Sequence, residues 1–276
     1  MIKIVTDSVA ELPQEIIDKY DITVLPLYVN IMDQSFIDGV EINAQTVCQY
    51  IDKGHYPQTS QIPPHHFYTV FDNLTSNGDE VIAITMSSQL SGTFRAALTA
   101  KEQLPDRKIT VLDSMGVSLG QGLQVIEAAK MALFGKLPEE IVSCLHRVRS
   151  KMNYAIIIDT LEYVFKGGRI SKAQYIAGNL LNLNIVCGSD GTGKISLAEK
   201  FIGKEKSILR WISKHLNNLN IKDKTVGLCT FSNEKLLNEV KALVEKHNPK
   251  EVIVSQFSSV VACYSGPNAI GIFATK

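Results

Sequence analysis

In the first 134 residues, short apolar runs alternate with helical patterns, and this alternation restricts the chain to few architectures. Residues 2–6, 23–30, 80–86 and 108–112 have the length and composition of buried strands. Residues 12–20, 44–53, 65–73, 91–104 and 120–134 carry helical periodicity, with Pro13 and Pro63-Pro64 near two helix starts. Repeated strand-then-helix units with apolar strands predict an α/β fold, with a mainly parallel sheet covered on both faces.

After a helix expected at 139–151 the pattern changes. Residues 154–159 predict a strand, helices follow through about Leu181, and 184–188 and 194–201 flank the turn Ser189-Asp190-Gly191-Thr192-Gly193 as a hairpin. A helix at 205–216, a strand at 225–231 and a helix at 233–247 come next. The last strands, 251–257 and 270–275, flank a loop that ends Ser265-Gly266-Pro267. The second half is thus expected to carry antiparallel pairing that the first half lacks. A chain of 276 residues suits two modest domains, with the boundary near residue 150. That gives an N-terminal α/β/α domain over 1–150 and a smaller C-terminal mixed-sheet domain over 151–276.

The 28 Lys and Arg residues balance 28 Asp and Glu, leaving no basic excess for phosphate or anionic lipid, so no nucleic-acid partner is expected. No apolar run reaches the roughly 18 residues of a membrane span. The N-terminus runs straight into a strand pattern without a signal-peptide profile. Cys48, Cys144, Cys187, Cys229 and Cys263 are scattered and form no CxxC pair, which suits reduced core thiols in a cytoplasmic protein.

Ligands of parallel sheets bind beyond the carboxyl ends of the strands. Those ends here carry Thr6-Asp7-Ser8, Ser87-Ser88-Gln89-Leu90-Ser91-Gly92-Thr93 and Asp113-Ser114. The first and last are equally at home as helix caps. Loop 87–93 offers four hydroxyls and a glycine where a helix begins, and helix-start amides suit a carboxylate or phosphate. Upstream, Gln58-Thr59-Ser60-Gln61 is a second hydroxyl cluster, read either as part of a site or as a solvated turn.

Catalytic readings find less support. Gly188-Ser189-Asp190-Gly191-Thr192-Gly193-Lys194 fits the spacing of a phosphate-binding loop, but Ile195 stands where Ser or Thr must follow, and a strand pattern comes next instead of a helix. No G-x-S-x-G surrounds Ser87, Ser88 or Ser91. None of His55, His65, His66, His146, His215 and His247 falls at an expected strand end, so no metal, cofactor or general base is expected. Lys166-Gly167-Gly168-Arg169-Ile170 follows a short helical segment at 161–165. Its glycines stop the helix and leave Arg169 a surface charge, or the turn aims the Arg169 guanidinium at an anion across the domain cleft. Both readings stay open.

These motifs, with Leu161-Glu162 and the closing Gly266-Pro267, fall in an order and spacing that resembles the DegV family of fatty-acid-binding proteins along essentially the whole chain. The resemblance implies the DegV-like two-domain fold, with a long-chain fatty acid buried between the domains. It implies that Thr59 and Ser91 hydrogen-bond the carboxylate, and that Ser60, Gly92 and Arg169 line its surroundings. It further implies a non-enzymatic bacterial carrier that presents the acyl chain to a fatty-acid kinase. The rival readings are a transferase or hydrolase using Ser91 or Asp7, and a pure adaptor.

The chain departs from the family pattern at three places. Tyr264-Ser265-Gly266-Pro267-Asn268 stands where the family usually has His before Gly-Pro-Gly, and tyrosine stays neutral near pH 7. Ile202 takes a position where the resemblance implies Arg, and Ile62-Pro63-Pro64 replaces the usual Pro-Ser continuation. These changes bear on the kinase expectation more than on the carboxylate clamp.

Overall fold

The computed structural model describes residues 1–178, 183–231 and 233–275. Strand β1 (Ile2–Asp7) feeds a 3-10 turn (Ser8–Ala10), helix α1 (Gln14–Tyr20) and then β2 (Thr23–Leu25). Pro26 follows β2, and a residue without an N–H cannot continue a sheet ladder. The run expected as one strand over 23–30 is therefore two. Its second part, β3 (Tyr28–Ile31), turns through Met32 at φ 56° into β4 (Gln34–Ile37). After α2 (Ala44–Asp52), strand β5 (Gln58–Ser60) pairs with β3, so β4-β3-β5 forms a small antiparallel sheet. The first half thus does carry antiparallel pairing, contrary to expectation. Strands of three or four residues are too short to show alternation, and Met32 sits where a hairpin signal requires Gly or Asn.

Helix α3 (Pro64–Thr75) leads to β6 (Glu80–Thr85), and α4 (Thr93–Glu102) to β7 (Ile109–Asp113). Helices α5 (Leu119–Leu133) and α6 (Pro138–Lys151) complete this part. The order β2-β1-β6-β7 is parallel throughout, as expected. Ile4, Ile82 and Ile84 bury against Val125 of α5 and Ile141 of α6. Their neighbours Val5, Val81 and Ala83 point the other way, into a cluster with Phe67 and Phe71 of α3 and Ala96 of α4. Successive side chains alternate faces in a strand, so burial on both faces makes these runs wholly apolar.

Strand β8 (Met152–Ile158) starts a second sheet, followed by α7 (Glu162–Lys166) and α8 (Lys172–Gly178). The expected helix end near Leu181 lies outside the described residues. The expected hairpin forms from β9 (Leu183–Ser189) and β10 (Ile195–Ile202), its turn held by Thr192 N–H donating to Asp190 Oδ1 at 2.8 Å. Helix α9 (Glu205–Asn218), β11 (Thr225–Thr230), α10 (Glu234–Glu245) and β12 (Glu251–Gln256) come next. Helix α11 (Ser259–Ser265) occupies part of the expected loop, and β13 (Ile270–Thr275) closes the chain's fold. Seven residues give too few turns for periodicity to reveal α11, although Ser258 caps it by accepting from Val261 N–H. The sheet order is β10-β9-β8-β13-β11-β12, mixed as expected, with β11 and β12 parallel.

One face of this sheet, including Ile157, Val226 and Ile272, packs under α9 and α10 through Ile212 and Val240. The opposite face contributes Ile158, Ile185, Cys229 and Phe273 to the same cluster as Val5 and Phe67. A single apolar core therefore runs across both halves of the chain. Helix α11 is pinned to the first half by two carboxylates: Ser258 N–H donates to Glu11 Oε1 at 2.6 Å, and Ser259 N–H to Asp38 Oδ1 at 3.0 Å.

Candidate ligand-binding site

Between the two sheets the shared core leaves a narrow cavity of about 90 Å³. Tyr154, Ile156 and Ile158 form one wall from alternate positions of β8. Val260 and Val261 of α11 add to the wall, and so do Val9 and Leu27 from the first half. The lining is overwhelmingly apolar, with Thr59, Ser91, Arg169 and Tyr264 among its polar groups.

Thr59 stands in β5, opposite Val29 of β3. Strand geometry sends Thr59 and Ser60 to opposite faces. Thr59 reaches the cavity, whereas the exposed Ser60 accepts a hydrogen bond from Asn30 Nδ2 at 2.6 Å and is not on the cavity wall. The resemblance groups these hydroxyls together, but the pleat separates them. The cluster is part of a strand, so the solvated-turn reading does not describe it.

Ser91 belongs to the turn between β6 and α4, where Ser91 N–H donates to Ser87 O at 3.2 Å. Its Oγ lies 2.9 Å from Thr93 Oγ1 and accepts from Thr93 N–H. Gly92 is the residue from which α4 starts. A Cβ there would lie 1.7 Å from Gln61 Oε1, so glycine lets the Gln61 side chain pack onto the loop and brings the 58–61 and 87–93 segments together. Gly92 borders a polar surface cleft that shares Ser91 and Arg169 with the cavity. Ser91 and Arg169 therefore stand where buried apolar space meets solvent.

Arg169 comes out of the turn after α7 and reaches across to the first half, where Nε donates to Leu90 O at 3.1 Å. Its guanidinium carbon lies 4.9 Å from the Tyr264 ring centroid, a cation–π contact. Arg169 is thus held by the Leu90 carbonyl of the first half and by the Tyr264 ring. Tyr264 in turn places its hydroxyl 2.5 Å from Thr59 Oγ1. Burial pushes the Tyr264 hydroxyl above the usual tyrosine range, so it stays neutral and Arg169 supplies positive charge here.

The expected site residues Thr59, Ser91 and Arg169 thus all line the cavity, Gly92 borders the adjoining cleft, and Ser60 is turned away. Sequence reasoning treated Tyr264 as a departure and not as a contact. Gln61 and Gly167 were also missed as site-builders; a Cβ on Gly167 would lie 2.3 Å from Tyr264 Cε1. The paired glycines after α7 were the available signal, because only a residue without a side chain lets the Tyr264 ring lie this close.

The other strand-end groups are structural. Asp7 caps the 3-10 turn by accepting from Val9 N–H at 3.1 Å, and its second oxygen accepts from Met86 N–H at 2.7 Å. Asp113 accepts from Met115 N–H at 2.8 Å. Ser87 donates to Gly193 O at 2.8 Å, tying the β9–β10 turn to loop 87–93. The sequence 188–194 that mimics a phosphate-binding loop runs into strand β10, so no helix amides face that turn.

A family profile described as "Uncharacterised protein, DegV family" matches residues 1–276. The chain belongs to the DegV family. It is 35% identical over 275 residues to a DegV domain-containing protein of Caldanaerobacter subterraneus subsp. tengcongensis, covering 99% of this chain and 98% of that one. Among solved structures, a DegV family protein from Thermus thermophilus, described by its fatty acid binding, matches with a TM-score of 0.92 at 30% identity, over 100% of this chain and 99% of that one. A stearic-acid-binding protein from Eubacterium ventriosum matches with a TM-score of 0.87 at 25% identity, over 100% and 98%. Like these DegV relatives, the chain pairs a parallel α/β/α layer with a mixed sheet. No helix among the described residues is long and apolar enough to cross a membrane.

Proposed function

We propose that this DegV-family chain binds a long-chain fatty acid in the cavity between residues 1–150 and 151–276, as two domains that clasp it. The observation that carries this reading is a largely apolar cavity whose wall includes Thr59, Ser91, Arg169 and Tyr264, with Ser91 and Arg169 shared with the polar surface cleft. A fatty acid needs both chemistries. Hydroxyls and a guanidinium satisfy the carboxylate, and each buried methylene contributes about 0.8 kcal/mol. The fatty-acid-binding relatives from Thermus thermophilus and Eubacterium ventriosum support the same ligand class.

In this account the chain is a cytoplasmic carrier and not an enzyme. Ser91 Oγ meets a threonine hydroxyl instead of a base, and the Asp7 oxygens are taken by backbone N–H groups. Those pairings favour binding over the transferase or hydrolase reading. A fatty-acid kinase is the partner to which the carrier would present its acyl chain. Ile202, 74% exposed on β10, makes any docking there apolar where the family resemblance implies a cation.

Organic extraction of the purified protein followed by mass spectrometry tests the ligand. Recovery of long-chain acid in near-stoichiometric amount is expected. Failure to recover any acyl chain, together with no binding of added stearate, would overturn the reading.

A further inference from the structure

Among the polar residues that line the cavity outside the proposed carboxylate site is Tyr154. Tyr154 projects from β8 onto the wall, its ring packed against the backbone at the start of α5. A Cβ on Gly116 would lie 2.3 Å from the Tyr154 hydroxyl, and one on Gly120 would lie 2.0 Å from its Cε1. The edge of the same ring pair meets Phe273, with centroids 6.1 Å apart and planes at 85°. The ring is therefore boxed in by Gly116, Gly120 and Phe273, and its hydroxyl cannot swing out to water.

That hydroxyl oxygen is buried and has no hydrogen-bond partner among the described residues. Buried polar groups are almost always paired, so an unpaired hydroxyl on a residue of the cavity wall is a candidate position for a ligand to complete. Its location narrows the ligand. On the cavity face of β8, Ile158 lies toward α7 and α11, where Arg169 and Tyr264 gather; Asp159, the next residue, accepts from Asn268 just beyond α11. Tyr154 is four residues back, about 13 Å along the strand. The group it would meet lies along the acyl chain and not at the carboxylate.

We propose that Tyr154 is a specificity-determining residue that donates a hydrogen bond to an oxygen carried along the chain of a hydroxy or keto long-chain acid. The inference rests on the fatty-acid reading above and names the subclass of acid the cavity prefers. Burial holds the phenol well above the ordinary tyrosine range, so it acts as a neutral donor at physiological pH. An unsubstituted chain leaves that donor unpaired, whereas a chain oxygen at matching depth pairs it.

The test uses delipidated wild type and Tyr154→Phe, titrated with stearate and with a set of hydroxystearates whose hydroxyl is moved along the chain. At least one isomer is expected to bind wild type roughly tenfold tighter than stearate, and Tyr154→Phe to abolish that preference while keeping its affinity for stearate. The ligand-free variant is expected to melt no lower than wild type, since it loses an unpaired hydroxyl. Equal binding of all isomers to wild type, or a variant that melts well below wild type without ligand, would overturn the inference and leave the fatty-acid reading intact. Absence of binding by every acid, stearate included, would overturn both.

Discussion

The Tyr264 hydroxyl lies 2.5 Å from Oγ1 of Thr59, joining residues 205 positions apart on the cavity wall. This contact places the tyrosine hydroxyl beside the proposed carboxylate site. Tyr264→Phe should weaken stearate binding by about 1 kcal/mol, the usual worth of one hydrogen bond. Tyr264→His should instead give affinity that rises as pH falls through about 6.5, while wild type stays flat over that range. Calorimetric titrations across pH check both outcomes.

The ring of Tyr264 is held against a residue with no side chain. A Cβ on Gly167 would come within 2.3 Å of Tyr264 Cε1 and 2.6 Å of Cδ1. Gly167→Ala should therefore displace the ring, breaking the contacts to Thr59 and Arg169 together. The expected result is a larger affinity loss than Tyr264→Phe causes, read by the same titration. Equal binding by Gly167→Ala and wild type would show that the ring position is irrelevant to the ligand.

The attachment of α11 to the first half predicts a pH dependence of stability. Burial raises the Glu11 carboxyl from 4.5 to about 8, against the opposing hydrogen bonds from Ser118 and Ser258. Burial likewise raises Asp7 from 3.8 to about 6 and pushes Asp38 upward. The folded protein then holds protons that the unfolded chain has already released. That contribution is fully present below the unfolded values and is lost as pH rises through the folded ones. Thermal midpoints should fall as pH is raised from about 4 to about 8, the interval running from the unfolded carboxyl values to the folded Glu11 value. Glu11→Gln keeps the shape without the titration and should flatten the slope.

The parallel sheet was legible because its strands are buried on both faces and stand out as apolar runs, as at Ile82 and Ala83. The β9–β10 hairpin was legible from its glycine-rich turn. Strands β3 to β5 and helix α11 were not, since each is shorter than the window in which periodicity shows. Thr59, Ser91 and Arg169 could be selected from strand-end position, hydroxyl content and family resemblance. What brings them together is long-range: Gln61 lies on Gly92, and Tyr264 lies on Gly167. No local pattern encodes which side chain fills the space a glycine leaves.

Ser91 lies at the meeting of cavity and surface cleft, with Thr93 as its hydroxyl partner. Ser91→Ala should cost roughly 1 to 3 kcal/mol of fatty-acid affinity by leaving the carboxylate underpaired. Ser60→Ala should cost little, because Ser60 bonds Asn30 on the far face of β5. A competition assay with a fluorescent fatty acid separates the two variants.

On the proposed function, one acyl chain lies in the cavity with its carboxylate at Thr59 and Ser91. A crystal structure of the protein loaded with stearate tests it most directly. Continuous density is expected to start within hydrogen-bond distance of Thr59 and Ser91 and to run inward past Ile156. Stearate density confined to the surface cleft beside Gly92, with the cavity unoccupied, would contradict it.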